Sequence, residues 1–489
     1  MSLDEEIAAR LEKLQKLKKE NIDPYPAQTE RSHTVAQMLS SWPSLVESGA
    51  VVTVTGRLKT KRAHGGLVFA DIEDGTGTIQ IAVKRDVVGD EIFTRFADLS
   101  DLGDFWAVAG TSFVTKKGER TISANTVTLL TKTLLPLPEK WHGLTDVEVR
   151  FRKRYLDLIS NELVRDIFKK RSLIVRAIRT FFDERGYLEV ETPILQTLAG
   201  GANAEPFITH HNTLGIDLYL RIAPELYLKR LLVGGMEKVY EMARCFRNEG
   251  MDHLHNPEFT QIEAYEAYAN YRDYMKLVEE LLPFVARAIG LDVTAVPFED
   301  TTIDFTPPYP RMTFNESLEK YGKFKPAIIA DHKKLIAEAE ARGVAVLREW
   351  GYGKLLDELF KTFARPHILQ PTFIIDHPIE LSPLTKRKFD DPLHVERFQL
   401  LVGKGIELVN SFSELNDPID QEARFASQEA ARVGGDTEAQ RLDDDFITAL
   451  KHGMPPAAGL GLGIDRLVAL LTNTHSIKEV ILFPTLRPE

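Results

Sequence analysis

The alternation of apolar and polar positions between residues 51 and 135 predicts several short β-strands. The run VVTVTGRL alternates throughout, and TIQIAV directs Gln80 to the face opposite its aliphatic side chains. Glycine-containing turns separate these runs. Short strands at this spacing favour a small closed β-barrel over residues 51–135.

Helical spacing governs the segments on both sides of this barrel. Apolar residues recur every three or four positions over residues 4–20, which predicts a helix within an N-terminal extension, residues 1–50. A second helix is predicted over 161–185, with Gly186 ending it. Its expected apolar stripe consists of Leu163, Ile167, Ile174, Ile178 and Phe181.

The remaining pattern predicts a second, larger α+β domain over residues 151–489. A proline-bearing stretch, residues 136–150, separates it from the barrel and is interpreted as a linker. Residues 291–366 carry two amphipathic helical segments without chemical motifs and are interpreted as a partly helical insertion.

A predicted hairpin, residues 239–265, carries the densest group of candidate functional side chains. Strand alternation places four residues of its second limb on one face: Phe259, Gln261, Glu263 and Tyr265. Arg247 and Glu249 stand where the intervening loop begins, and His255 stands near its end. This combination indicates a site for a flat ring and an anion beside a cationic group, although an exposed polar hairpin has a similar pattern.

Composition and charge exclude several classes of protein. The 489 residues carry a formal net charge of −11, which argues against a general nucleic-acid coat but not against a local basic surface. A single cysteine, Cys245, excludes an internal disulfide, and no Cys/His group has zinc-ligand spacing. Without a bilayer-length apolar run or a signal peptide, a cytoplasmic location is predicted, with no membrane association.

Three further stretches carry candidate chemistry. Gly459, Gly461 and Gly463 alternate before a helix that begins near Arg466, and bare backbone there admits a nucleotide. Glu225 falls in the first turn of a predicted helix, where a capping role is equally consistent. The stretch QLLVGKGIELVNSFSELND otherwise has buried character, so its carboxylates, Glu407 and Glu414, each need a cation, a donor or a metal.

The sequence FRNEG…HNPEFTQIE resembles the second motif of class II aminoacyl-tRNA synthetases, and the alternating glycines resemble the third. YLEVETP resembles the first, with Pro193 at a dimer interface. Over nearly its full length the chain resembles the lysyl-tRNA synthetase branch. That resemblance implies an OB-fold barrel followed by a catalytic domain with a mixed, mainly antiparallel sheet flanked by helices. It also implies L-lysine, ATP and tRNA(Lys) as substrates, Mg²⁺ as cofactor, and a homodimer.

The resemblance also implies the roles of individual residues. Arg247 and Arg466 are expected to be catalytic, and Glu407 is the expected Mg²⁺ ligand. ATP contacts are expected from Arg247, Glu249, His255, Asn256, Phe259, Glu407, Gly463 and Arg466. Lysine contacts are expected from Gly201, Glu225, Glu263, Tyr265, Asn410, Phe412 and Glu414. Anticodon contacts are expected from Arg57, Phe69, Gln80 and Glu119, where a basic cluster beside a ring also suits single-stranded RNA.

Two departures and three alternatives accompany this reading. Leu254 stands where many relatives have an arginine. Many relatives also have a second metal-binding glutamate before Glu407; the nearest match here is Gln399, and the spacing between the two includes one extra residue. The alternatives are a sister enzyme for aspartate or asparagine, a paralogue that transfers lysine to a protein, and a non-catalytic RNA-binding homologue. The pair of Glu225 and Glu414 favours lysine, the barrel opposes the paralogue, and Arg247 with Arg466 opposes the non-catalytic form.

Overall fold

The computed structural model describes residues 2–137, 144, 146–202, 204–347, 350–433 and 441–488. The chain divides into two compact units, Met1–Leu144 and Thr145–Glu489. Most of the predicted linker, residues 138–143 and 145, lies outside the described residues.

The first unit contains a closed five-stranded barrel with strand order β1-β2-β3-β5-β4. Its strands are β1 (Val51–His64), β2 (Leu67–Asp74), β3 (Gly77–Lys84), β4 (Phe105–Val114) and β5 (Arg120–Thr131). Its helices are α1 (Leu3–Lys19), α2 (Val35–Ser40), α3 (Trp42–Ser48), α4 (Arg85–Val88) and α5 (Asp90–Leu99). The predicted barrel is therefore confirmed.

Alternation along the barrel strands separates an apolar interior from a polar exterior. On β2, Val68, Ala70 and Ile72 are buried, while Phe69 between them lies on the outer face, half-buried. In the interior, the ring of Phe96 packs edge-on against Trp106 with 4.9 Å between centroids. This packing leaves the outer face of β2 and β3 to carry other functions.

The second unit is built on an eight-stranded mixed sheet with the order β14-β15-β16-β17-β18-β11-β10-β6. Only the β10–β6 and β14–β15 pairs of this sheet are parallel, which confirms a mainly antiparallel arrangement. Its strands are β6 (Leu188–Glu189), β10 (Lys238–Phe246), β11 (Glu258–Ala267), β14 (Arg311–Thr313), β15 (Thr372–Pro378), β16 (His394–Val402), β17 (Ile406–Ser413) and β18 (Ala457–Gly463). Smaller sheets contain β7 (Leu195–Gln196), β8 (Ile208–His211), β9 (Ile216–Leu220), β12 (Val296–Phe298) and β13 (Thr301–Ile303).

Helices cover this sheet and supply much of the core. They are α6 (Val147–Arg152), α7 (Arg154–Ser160), α8 (Glu162–Asp183), α9 (Glu225–Val233), α10 (Tyr271–Ala288), α11 (Phe314–Lys320), α12 (Pro326–Ile329), α13 (His332–Ala341), α14 (Tyr352–Leu359), α15 (Pro418–Val433), α16 (Asp444–Lys451), α17 (Ile464–Leu471) and α18 (Ile477–Val480). A π-helical turn, Phe360–Ala364, extends α14. The largest hydrophobic cluster joins side chains of α8, α10 and α17 to the sheet.

Three sequence predictions in this unit need adjustment. Leu163 is exposed, and Val164 is buried in its place, because the first turn of α8 rotates its apolar stripe by one position. The strand predicted over residues 187–193 is limited to the two residues of β6. Within residues 291–366, β14 pairs with β15 as the edge of the main sheet, while the helices that follow form their own cluster.

None of the helices in the described part of the chain combines the length and apolar character that crossing a bilayer requires.

Candidate active site

A cavity of about 350 Å³ lies over the centre of the main sheet, where β11, β18, β17 and β16 run side by side. This volume suits a small-molecule site. The hairpin of β10 and β11 has the predicted antiparallel form, with Cys245 opposite Phe259. All four side chains predicted for one face of β11, Phe259, Gln261, Glu263 and Tyr265, line the cavity.

The alternating glycines form a bare floor in this cavity. Gly461 lies between Glu263 on β11 and Asn410 on β17, and Gly459 lies between Tyr265 and Phe412. A Cβ atom added at Gly461 would have its nearest neighbour 3.9 Å away, at Glu263 Cγ. The strand therefore leaves open space above Gly461, whereas above Gly459 the Tyr265 ring and Glu414 Oε1 already fill that position.

One end of the cavity is rich in guanidinium groups. The Arg247 guanidinium lies over the Phe259 ring, with 5.0 Å from Cζ to the centroid. Its Nε is buried and has no hydrogen-bond partner among the described residues. Since Arg247 N–H also donates to Pro257 O at 2.9 Å, the side chain is held at the start of the loop with an unused donor.

A chain of three polar side chains crosses the loop beside Arg466. Asp252 Oδ2 lies 2.8 Å from His255 Nδ1, and His255 Nε2 lies 3.1 Å from Arg466 Nη2. Arg466 Nη1 donates to the backbone oxygen of Glu407 at 3.1 Å. Burial opposes the charge on Asp252, but hydrogen bonds from His255 and Leu254 hold its pKa below the ordinary value. Asp252 was not predicted from the sequence, although its position three residues before His255 is visible there.

A β-bulge in β17 directly follows Glu407. Leu400 pairs with Val409, whereas the next residue, Leu401, pairs with Glu407, so Leu408 has no partner. Glu407 consequently lies on the same face as Asn410, and both line the cavity. Gln399 pairs with Asn410 and so is on the same face of the sheet, but its Oε1 lies 3.2 Å from His377 Nε2 and it does not line the cavity.

Glu407 lines the cavity and offers the hard carboxylate oxygens that Mg²⁺ prefers. One or two protein carboxylates often suffice for that ion, so the donor set is compatible with it. No group of three or more His, Cys, Asp or Glu side chains able to hold a metal occurs in the described part of the chain.

At the opposite end, the predicted lysine-binding residue Glu225 lines the cavity, whereas Glu414, also predicted there, does not line it; both carboxylates contact a cation that was not predicted. Glu225 begins α9, as expected, but its Oε1 lies 2.6 Å from the ammonium of Lys229, one turn later. The same ammonium lies 2.5 Å from Glu414 Oε2. Each carboxylate is therefore paired with a cation of the chain itself, which for Glu414 agrees with the expectation that a buried carboxylate needs a partner. Lys229 was not predicted from the sequence, although its position four residues after Glu225 is visible there.

Glu263 and Tyr265 form a buried pair on the same wall. Tyr265 Oη donates to Glu263 Oε2 at 3.0 Å, and Gln261 Nε2 donates to Oε1 at 2.7 Å. Burial and the nearby Glu225 raise the pKa of Glu263 well above its ordinary value. Burial, with the surrounding carboxylates, raises the pKa of Tyr265 as well, so the phenol remains a donor.

Arg397 is a second wall residue that the sequence analysis did not identify. Its Nε donates to Asn410 Oδ1 at 2.8 Å, and its Nη1 donates to Leu381 O and Ser382 Oγ. Because the amide oxygen of Asn410 accepts from Arg397, the amide nitrogen is the group left for a ligand. Asn410 is therefore oriented to donate toward an anionic group.

The other predicted residues of this site also line the cavity. Gly201 lines the cavity with a φ of +90°. A Cβ added to it would lie 3.0 Å from the Cβ of Glu225, so only glycine fits at this position. Leu254, noted above as a departure from the family pattern, contributes an apolar surface to the cavity. The further lining residues from the predicted set are Glu249, His255, Asn256, Phe412, Gly463 and Arg466.

The predicted RNA-reading residues divide into two groups on the barrel. Gln80 Oε1 accepts from Thr121 Oγ1 at 2.9 Å, and the same hydroxyl contacts Glu119 O. Phe69 lies on the adjacent strand, two residues along from the partner of Gln80. These three therefore share one region of the outer face.

The basic cluster predicted beside Phe69 is largely engaged within the barrel. Arg57 lies over the Phe105 ring at 4.3 Å and donates to Gly103 O. Lys59 pairs with Glu73 at 3.1 Å, and Lys61 donates to Ala97 O and Ser100 O. Arg57 is thus positioned by internal contacts, and the predicted basic face is smaller than the sequence indicated.

Both units match known sequence families. Residues 52–130 match the OB-fold nucleic acid binding domain, and residues 146–487 match the tRNA synthetases class II (D, K and N). The chain is 50% identical over 492 residues to a lysine–tRNA ligase of Roseiflexus castenholzii, covering all of both chains. It is 48% identical over 488 residues to that of Pelotomaculum thermopropionicum, covering 99% of this chain and 96% of the relative. It is also 48% identical over 489 residues to that of Wolinella succinogenes, covering 98% and 96%.

Proposed function

The chain belongs to the lysine–tRNA ligases, within the class II aminoacyl-tRNA synthetases, and from that premise we propose how its cavity performs the reaction. The enzyme joins L-lysine to its tRNA through a lysyl-adenylate made from lysine and ATP. The supporting observation is a single cavity that is lined by the guanidinium groups of Arg247 and Arg466 and by the buried carboxylate of Glu225, which shares the Lys229 ammonium with Glu414.

In the first step, a lysine carboxylate oxygen forms a bond to the α-phosphorus of ATP, and the bond to the pyrophosphate oxygen breaks. Negative charge gathers on the α-phosphate oxygens as this happens. Arg247 is the residue we assign to these oxygens and to the substrate carboxylate, because its unpaired Nε lies buried in the cavity wall. In the second step, a hydroxyl of the terminal tRNA ribose attacks the carbonyl carbon and AMP leaves.

The nucleotide is proposed to lie between the hairpin and the helix after the glycine strand. Phe259 offers a face for adenine, and Arg466 covers the opposite side while reaching the outer phosphates. His255 joins Arg466 there, and the contact to Asp252 orients its ring. Glu249, Asn256 and Gly463 border the same space.

Glu407 is proposed to hold Mg²⁺, which supplies positive charge beside the phosphates when it is bound. The bulge at Leu408 turns this carboxylate toward the cavity. Titration of the exchange rate with Mg²⁺ in a Glu407→Gln variant tests the assignment, because an unchanged Mg²⁺ requirement would contradict it.

Lysine is proposed to lie along the glycine floor with its side chain directed at Glu225, Glu414 and Tyr265. Glu263 and Gly201 then border the α-ammonium, and Asn410 donates toward the carboxylate. Phe412 supports the aliphatic part of the side chain. An acidic or amide side chain would bring no cation of its own to these two carboxylates, which share only Lys229. The arrangement therefore argues against the aspartate and asparagine alternatives.

The first prediction concerns the lysine seat, by which we mean the group of Glu225, Glu414 and Tyr265 proposed to receive the substrate ammonium. We expect Glu225→Gln or Glu414→Gln to raise the KM for lysine by at least about tenfold, because a neutral amide replaces one carboxylate that pairs with the substrate ammonium. The KM for ATP should change less than about twofold. Pyrophosphate exchange, run with each of the twenty amino acids, provides the measurement, and equal effects on both substrates would remove lysine selection from these residues.

The second prediction concerns RNA reading by the barrel. Phe69, Gln80 and Glu119 are proposed to contact the anticodon, with Arg57 beside them, since a ring stacks bases and the amide reads a base edge. We expect Phe69→Ala to raise the KM for tRNA(Lys) by about 10- to 100-fold, the range that loss of one stacked base gives. Lysine-dependent pyrophosphate exchange, which needs no tRNA, should stay unchanged. Impaired exchange would instead indicate a folding defect.

A homodimer in the cytoplasm is proposed from the family alone, with Pro193 at the interface. Leu163 and Leu188, which are exposed in the single chain, are consistent with a covered surface. The mass of the protein in solution, measured by light scattering, tests this, and a monomer at micromolar concentration would contradict it.

A further inference from the structure

A lysine of the chain itself lies between the two carboxylates of the proposed lysine seat. Lys229 is completely buried, and its ammonium contacts Glu225 on its own helix and Glu414 at the end of β17. The Phe412 ring closes a third side, 5.3 Å from Nζ to the centroid. One cation therefore connects two acids from different elements.

Electrostatics explains why a single cation stands there. Two carboxylates buried side by side repel each other, and each resists ionisation when it is removed from water. One ammonium compensates one of them, so the cluster carries one net negative charge whenever Glu414 is ionised. Glu414 Oε2 faces Lys229, while its Oε1 has no hydrogen-bond partner within the described residues and sits against the Gly459 backbone in the cavity floor.

We propose that Lys229 is a specificity-determining residue of the lysine reaction: it fixes Glu225 and Glu414 and leaves the seat one net negative charge, matched to a substrate side chain with one ammonium. This inference rests on the lysine seat proposed above and adds its counter-ion. A side chain without a cation leaves that charge uncompensated, whereas an ammonium in reach of Glu414 Oε1 neutralises it.

The cluster should make lysine binding depend on pH in a defined direction. Burial raises the pKa of Glu414 to about 8, with Lys229 acting to lower it and Glu225 acting to raise it. The other ionisable groups that interact with Glu414 are Tyr265 on β11 and Tyr274 on α10. A proton on Glu414 competes with the substrate ammonium, so the KM for lysine falls as pH rises through the pKa of Glu414. Removal of Lys229 moves that pKa upward.

The test is Lys229→Met, with Lys238→Met as the matched control. Lys238 forms a comparable 2.7 Å pair with Glu266 on the same sheet, outside the cavity. Dividing the variant KM for lysine by the wild-type KM at each pH removes the titration of the substrate. If removal of Lys229 raises the pKa of Glu414 by one unit, the ratio of variant to wild-type KM for lysine is expected to be about tenfold at pH 7 and below about twofold at pH 9.5. The KM for ATP should stay within about twofold.

A double variant separates charge balance from packing. Lys229→Met with Glu225→Gln removes one charge of each sign, and we expect its KM ratio to become independent of pH. A flat ratio for Lys229→Met alone, or a double variant that keeps the slope, would overturn the inference. If Lys229→Met does not fold, Lys229→Gln carries the same comparison, because it retains a polar partner without the charge.

Failure of the seat and failure of the counter-ion give different results. If Glu225→Gln and Glu414→Gln leave the KM for lysine unchanged, the seat itself is wrong. If they raise it while Lys229→Met behaves like Lys238→Met, only the role of Lys229 is wrong.

Discussion

Replacing Arg247 with alanine is expected to reduce lysyl-adenylate formation by about 10²–10³-fold, the effect of removing one preorganised donor to a developing negative charge. Its guanidinium lies in the cavity wall against Phe259, with Nε unpaired, so it is positioned before substrate arrives. Because the contact strengthens in the transition state, most of the loss should appear in kcat. Single-turnover formation of the adenylate measures it directly.

Arg244 provides the control, since it lies three residues before Arg247, on β10, and does not line the cavity. It is exposed and pairs with Glu258 at 3.4 Å. We expect Arg244→Ala to change adenylate formation by less than about twofold, as for most exposed ion pairs. Equal losses in the two variants would show that the strand, and not the Arg247 guanidinium, carries the effect.

Substituting Gly461 with valine is expected to reduce pyrophosphate exchange by at least about 100-fold, because the added side chain occupies the space where the substrates meet. The protein should remain folded, since the nearest atom to an added Cβ is 3.9 Å away and β-branched residues suit a strand. The melting temperature and the exchange rate, measured on the same sample, separate the two effects.

Gly461→Ala gives an intermediate case for this series. One methyl group takes up less of the open space, so its loss of exchange should lie between those of wild type and Gly461→Val. If valine leaves exchange unchanged, lysine and ATP do not lie over the glycine floor, and the roles given to Glu263 and Asn410 would have to be reassigned.

The sequence alone was sufficient to predict which side chains share the cavity-facing side of β11. Alternation along β11 follows from backbone geometry alone, so Phe259, Glu263 and Tyr265 could be assigned to one face without coordinates. The alternating glycines obey the same rule on the neighbouring strand. The barrel was predictable for the same reason, because its strands are short and regular.

Contacts between distant segments were not predictable from local pattern. The ion pair of Lys229 with Glu414 joins residues 185 positions apart in the chain, and Arg397 reaches Asn410 across a strand pair. Similarly, the basic residues near Phe69 form a cluster in sequence, but Lys61 turns toward backbone oxygens of the first unit. Side-chain direction at these positions depends on neighbours that only the folded chain supplies.

The unpaired Leu408 has a broader consequence for how this sheet can change in length. The bulge adds one residue to β17 within a single strand pair, and the alternation on either side is restored in phase. The groups downstream, through the far end of that strand, keep their orientation toward the substrates. A one-residue bulge can therefore lie in an interior strand of a catalytic sheet without inverting the chemistry that follows it.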